Sequence, residues 1–122
     1  MPDNAARPAV PLSKIRRAGS LVFLSGQLPR TADGGMCNGS IAEQTARAIA
    51  NLRAVLQSEG LDLGDVVKTT VWLTSADHAP GMNAAYAELF PQPYPARSTV
   101  ISGLVADADI EIEAVALDPR AA

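Results

Sequence analysis

In the stretch PYPARSTVI at 93–101, a loop punctuated by prolines gives way to a run of β-branched residues, and one arginine stands at the join. The Arg97 guanidinium is charged at every pH a protein meets, and arginine is seldom fully buried without a partner. An anion is therefore expected beside it, belonging either to the protein or to a ligand. The chain itself offers Glu111 and Glu113 in IEIEAVAL at 110–117, either of which would close a structural salt bridge. Two glutamates at i and i+2 of a strand share one face, and that face is equally readable as an ordinary solvated edge.

Other residues that often carry chemistry have less around them. His78 is the single histidine and lacks Cys or His companions for a metal site. No nucleophile stands near it, which argues against a Ser-His triad. Cys37 is the single cysteine, so it forms no intrachain disulfide, and a loop cysteine without a basic neighbour is more often inert than reactive. The Gly-rich stretch DGGMCNG at 33–39 lacks the Gly-Lys-Ser/Thr ending of a phosphate loop, and no strand leads straight into it.

The elements that must position these residues are marked locally. A short strand over 13–18 turns at Gly19 into a second, LVFLSG at 21–26, in a hairpin. Ser40 and Glu43 fit a capping box, after which apolar or small residues recur at Ile41, Thr45, Ala48, Ile49, Leu52, Val55 and Leu56 until Gly60 stops the helix. DVVKTTVWLT at 65–74 is β-branched almost throughout and reads as a central strand. A second helix over about 79–90 carries Met82, Tyr86 and Leu89 on one face and ends at Pro91 and Pro93. Two further strands, at about 97–102 and 110–117, flank an acidic loop through Asp107 and Asp109.

That order, β-β-α-β-α-β-β, predicts an α/β domain with a single mixed sheet of five to six strands and two helices on one face. The domain is expected over 12–118, with a loose N-terminal tail at 1–11 and a C-terminal tail at 119–122. Both faces of the strands read as apolar: Val67, Val71 and Leu73 alternate with Val66 and Trp72, and the last strand behaves alike. An uncovered apolar face predicts a homo-oligomer.

Composition agrees with one globular domain: of 122 residues 48% are hydrophobic and 19% charged. The formal net charge of −3 and the scattered Lys and Arg disfavour nucleic acid as a partner. No run approaches the ~18 apolar residues of a membrane span. With a polar N-terminus and no signal-like apolar segment, the expected compartment is the cytoplasm.

Taken together, LVFLSGQLP at 21–29, GSIAEQT at 39–45, DVVKTTVWLT at 65–74, MNAAYAELF at 82–90, PARS at 95–98 and IEIEAVA at 110–116 resemble the RidA/YjgF family of reactive-intermediate deaminases, also labelled endoribonuclease L-PSP. The resemblance runs in order through roughly residues 10–117. It implies a chorismate-mutase-like fold and a homotrimer with ligand clefts between subunits. It further implies that Arg97 anchors a substrate carboxylate, that Ser25 and Gly26 hold the ligand, and that Glu111 positions or activates water. Trp72 falls on a position lining the cleft, and Thr99 on one that is often cysteine. The implied reaction is hydrolysis of small 2-imino or 2-enamino acids to 2-oxo acids and ammonia, without metal or organic cofactor.

One stretch departs from the pattern. In VPLSK at 10–14, Leu12 stands where the deaminases carry an aromatic residue, usually tyrosine, so a hydrogen-bonding group is lost from the pocket. This keeps a second reading open: a non-catalytic trimer that binds a 2-oxo acid or similar metabolite. An endoribonuclease, the third reading, is disfavoured by the acidic balance and the lone histidine.

Overall fold

Ser40 opens the first helix as its type and spacing predict. Its Oγ accepts the Glu43 N–H at 3.1 Å while its own N–H donates to the Glu43 carboxylate at 2.9 Å, a complete capping box at the head of α1, Ile41–Ser58. Beyond Glu59 the chain turns away at Gly60, whose φ of +75° suits only a residue without a side chain. Gly19, at φ +62°, makes the corresponding turn between β1, Ile15–Ala18, and β2, Leu21–Gln27. The second helix, α2, Ala79–Leu89, enters through a single 3-10 turn capped by Ser75 and ends before Pro91.

These elements come from a computed structural model that describes residues 10–121. Residues 1–9 of the expected N-terminal tail, and residue 122, lie outside the described residues. The remaining strands are β3, Val66–Leu73, β4, Ala96–Ile101, and β5, Ile110–Leu117. They join β1 and β2 in one five-stranded sheet of order β1-β2-β5-β3-β4. Every neighbouring pair is antiparallel except β3–β4, whose parallel pairing requires the crossover that α2 provides.

Both helices pack on one face of this sheet, as the element order predicts. Ile49, Leu52 and Leu56 of α1 and Met82 of α2 meet Val22, Val71, Leu73, Ile110 and Ile112, all essentially removed from solvent. Strand alternation sends the other residues of β2, β3 and β5 to the opposite, uncovered face. Leu21, Phe23, Val115 and Leu117 form its apolar part, with Leu21 opposite Leu117 and Phe23 opposite Val115. Lys68, Thr70, Glu111 and Glu113 make the rest polar, so this face is more mixed than the sequence suggests.

One assignment of faces is corrected. Simple alternation puts Val67 with Val71 and Leu73, and Val66 with Trp72. A bulge opposite β5 inserts a residue between Val66 and Lys68, which returns Val66 to the core and leaves Val67 exposed.

Residues 119–121 are tied to the body of the domain. Asp118, nearly buried at the end of β5, accepts Arg120 Nε at 3.0 Å and Arg17 Nη1 at 2.9 Å. Arg17 also reaches the Glu59 carboxylate at 3.0 Å, and Arg120 Nη2 donates to the Glu59 carbonyl at 2.8 Å. Bonds from Arg120, then Arg17, hold the Asp118 carboxyl far below the usual carboxylate range. A depressed native pKa means that this contribution to stability is complete above the unfolded value near about pH 4 and is lost as pH falls below it. Asp118→Asn should therefore lower the melting temperature at neutral pH, and the gap from wild type should shrink as the pH is taken down from 4. Melting curves across that range check this; a gap independent of pH would contradict it.

Candidate functional site

Arg97 owes its position to the register of the parallel pair. It stands opposite Thr69, whose side chain is buried and whose Oγ1 lies 2.8 Å from the Tyr86 hydroxyl of α2. Side chains opposite one another in a sheet share a face, so Arg97 emerges on the helix side at the β4 edge. Its guanidinium carbon sits 4.9 Å from the centroid of the Tyr86 ring, and Nη1 lies 3.8 Å from Met82 Sδ. Tyr86 is itself stacked on Phe90 with ring centroids 4.4 Å apart. Burial pushes the Tyr86 hydroxyl above its ordinary pKa, so the ring beneath Arg97 remains neutral around pH 7.

Neither Glu111 nor Glu113 pairs with Arg97, and among the described residues no carboxylate comes within salt-bridge distance of it. The guanidinium instead lines a hollow of about 380 Å³ whose walls include Asn83, Tyr86, Tyr94 and Pro95. Aromatic rings on two sides and a stacked cation make a place suited to a small organic anion. Thr99, two residues further along the edge strand, points to the same side and is exposed.

Glu111 lies elsewhere. Opposite Trp72 in β3, it projects from the uncovered face, with Glu113 two residues on and opposite Thr70. A bulge in β2 between Leu24 and Gln27 brings Gly26 against it. A methyl group on Gly26 would occupy the place of the Glu111 carboxylate, so only glycine permits this approach. Gly26, Trp72, Glu111 and Glu113 share a hollow of about 210 Å³ with the 102–105 loop. Desolvation, and secondarily the charge of Glu113, raises the Glu111 pKa above that of a free glutamate. That is the direction wanted in a group that must hold and release a proton near neutrality. The same shift makes folding less favourable as pH rises from the unfolded value through the raised native one.

The structure thus joins Gly26, Trp72 and Glu111 but places Arg97 and Thr99 across the sheet from them. Leu12 and Ser25 line a third hollow, of about 400 Å³, which Gly26 also borders. The Ser25 N–H donates to the Lys14 carbonyl at 3.0 Å and its hydroxyl to the Ser13 carbonyl at 2.6 Å, so both donors are already committed within the chain. Through these bonds Ser25 pins the segment carrying Leu12.

Sequence reasoning missed the cluster that holds the loop leading to Glu111. Asp109 accepts Thr74 Oγ1 at 2.8 Å and Gln44 Nε2 at 3.1 Å, while its N–H donates to Gln44 Oε1 at 2.9 Å. Those bonds keep its carboxyl below the usual range. His78 Nε2 lies 3.7 Å away, which gives the lone histidine an acidic neighbour. The available signal was Gln44, a polar residue at a position of α1 that faces inward.

Comparison with known proteins follows the same lines. The family model described as Endoribonuclease L-PSP matches residues 3–118. Reactive Intermediate Deaminase A, chloroplastic, of Arabidopsis thaliana is 40% identical over 118 residues, spanning 93% of this chain and 62% of that one. The 2-iminobutanoate/2-iminopropanoate deaminase of Dermatophagoides farinae is 35% identical over 115 residues, spanning 91% and 88%. The crystal structure of E. coli TdcF with bound serine aligns with a TM-score of 0.82 at 31% identity, covering 90% of each chain.

The influence of Glu113 on Glu111 is directly measurable. Removing a neighbouring negative charge eases ionisation, so Glu113→Gln should shift the Glu111 titration to lower pH. Carbon-13 NMR of the side-chain carboxyls follows this, and a shift in the opposite direction would refute the assigned cause.

Proposed function

The chain belongs to the endoribonuclease L-PSP family, here called RidA/YjgF, and on that premise we propose that it hydrolyses small 2-imino and 2-enamino acids to 2-oxo acids and ammonia. The observation that carries this reading is the unpaired Arg97 guanidinium lining an open hollow. A planar fork of donors matches the carboxylate that every such substrate bears. Relatives described as an imine deaminase and as a homologue holding serine add support, since serine too carries an α-carboxylate.

The chemistry requires a water and a group able to move its protons. With the carboxylate on Arg97 and the imine nitrogen protonated, the water oxygen adds to C2 and the C=N π pair moves to nitrogen to give NH2, while Glu111 takes a proton from the water. The resulting carbinolamine has one C–N bond to break. Glu111 returns the proton to nitrogen, and ammonia departs with the C–N electron pair. The hydroxyl oxygen gives its proton to the freed Glu111 carboxylate as C2=O forms, from which it passes to the ammonia. An enamino acid enters the same sequence after protonation at C3. Each step is within the reach of one carboxyl group whose pKa lies nearer neutrality than usual, and none calls for a metal or organic cofactor.

Because Arg97 and Glu111 leave one copy on opposite faces, the reading needs two copies at each site. We take the assembly to be a homotrimer in which the β4 edge of one subunit meets the uncovered face of the next. Leu21, Phe23, Val115 and Leu117 supply apolar surface for such a contact. Leu12 favours one alternative, a trimer that binds 2-oxo acids without turnover, because a leucine at the position where the deaminases carry an aromatic residue can pack but cannot donate a hydrogen bond.

Ammonia release from 2-iminopropanoate generated in situ tests the proposal. Losing a charge-assisted pair costs about 1.5–3 kcal/mol, so Arg97→Ala should lower kcat/KM roughly 10- to 100-fold, with Arg97→Lys intermediate. Equal rates for wild type and Arg97→Ala would end the deaminase reading. Binding of pyruvate by a wild type that turns over no imine would select the alternative. Mixing Arg97→Ala with Glu111→Gln chains should restore part of the activity if each site draws on two copies, and none if it draws on one.

A further inference from the structure

The described residues hold a second concentration of positive charge that the proposed reaction does not use. Lys14, Arg30 and Arg47 all border the hollow of about 400 Å³ between the end of β2, the 27–32 connection and α1, and no carboxylate lines it. None of the three enters an ion pair among the described residues. Asp33, close to Arg30 in the chain, gives its carboxylate to the Thr31 hydroxyl and to the Gly35 N–H. Three cations around one concavity repel each other, and among the described residues no counter-charge offsets them.

The walls are built. Backbone carbonyls at Ser13 and Lys14 are pinned by Ser25, which fixes where Lys14 leaves the chain. Asn51 Nδ2 donates to the carbonyls of Leu28 at 2.9 Å and Arg30 at 3.0 Å, which fixes the connection. The same Asn51 accepts Arg47 Nη2 on Oδ1 at 3.1 Å. One asparagine therefore holds the loop bearing Arg30 against the helix face bearing Arg47. Only one of the five guanidinium donors of Arg47 is bonded within the chain, and its Nε–H is shielded from solvent without a partner. The other Nη donors of Arg47, which borders the hollow, have no partner among the described residues and can meet an anion there.

We infer that this hollow is a binding site for a small, multiply charged anion bearing a phosphate or two carboxylates. Within one copy it is separate from the carboxylate position at Arg97, because β2 and β4 lie on opposite sides of the β5–β3 pair. Its existence does not depend on the deaminase reading.

Calorimetric titration of the intact protein with inorganic phosphate and, separately, with malonate tests it, at one ionic strength balanced with chloride. Saturable binding of at least one probe is expected, and the tighter one identifies the ligand class. Arg30→Gln and Arg47→Gln should each weaken it by roughly tenfold or more, while Arg97→Ala leaves it unchanged. The Arg30 side chain makes no hydrogen bond among the described residues, so Arg30→Gln keeps the fold even where loss of the Arg47–Asn51 bond does not. Three results overturn the inference: no saturable binding of either probe, unchanged affinity in Arg30→Gln, or loss of binding in Arg97→Ala instead.

Discussion

Thr69 Oγ1 and the Tyr86 hydroxyl meet at 2.8 Å in the core, and much of the candidate site follows from that contact. A buried hydroxyl without a partner is costly, so the pair fixes how α2 lies over β3. The parallel pairing of β3 with β4 then decides which side chain of the PARS stretch faces α2. That side chain is Arg97, delivered onto the face of the ring whose hydroxyl made the contact. A shift of β4 by one residue would turn Arg97 to the other side of the sheet and present Ser98 to the helix. One hydroxyl pair thus aims a cation that is carried on another strand.

A different device aims Glu111. Its neighbours in β5 are core residues, so alternation alone would leave it standing over the uncovered face like Glu113. The β2 bulge changes its surroundings by bringing a residue without a side chain up to the carboxylate. The close backbone displaces water, and displaced water is what raises the proton affinity of the group. Gly26 therefore contributes through the atoms it lacks.

The helices were legible because their signals are local. A capping box lies within four residues, and apolar spacing repeats every turn. Strand faces were less legible, since the Val66–Lys68 bulge is defined by the partner strand and leaves no mark in the β-branched run. Arg97 could be singled out from its type and context, but its face depends on a non-local register. Nothing in LVFLSG reveals that Ser13 and Lys14 return to take the donors of Ser25. Lys14, Arg30 and Arg47 are far apart in the sequence, which shows neither the Asn51 bonds that join the Arg30 and Arg47 segments nor the Ser25 bond that holds Lys14.

Two opposite charges in this fold are kept from each other by geometry. Among the described residues Arg97 has an aromatic face but no anion, and Glu111 has a partly desolvated carboxyl but no cation. Within one chain they would stabilise each other if they met, yet β3 and the parity of the sheet separate them. A protein selected only for its own stability would gain by closing such a pair or by replacing either member. Leaving both open makes sense where an outside group completes them: a carboxylate for the arginine, and a water or a second subunit for the glutamate. Sheet parity, which forbids the internal salt bridge, is therefore the same constraint that leaves both groups available for chemistry.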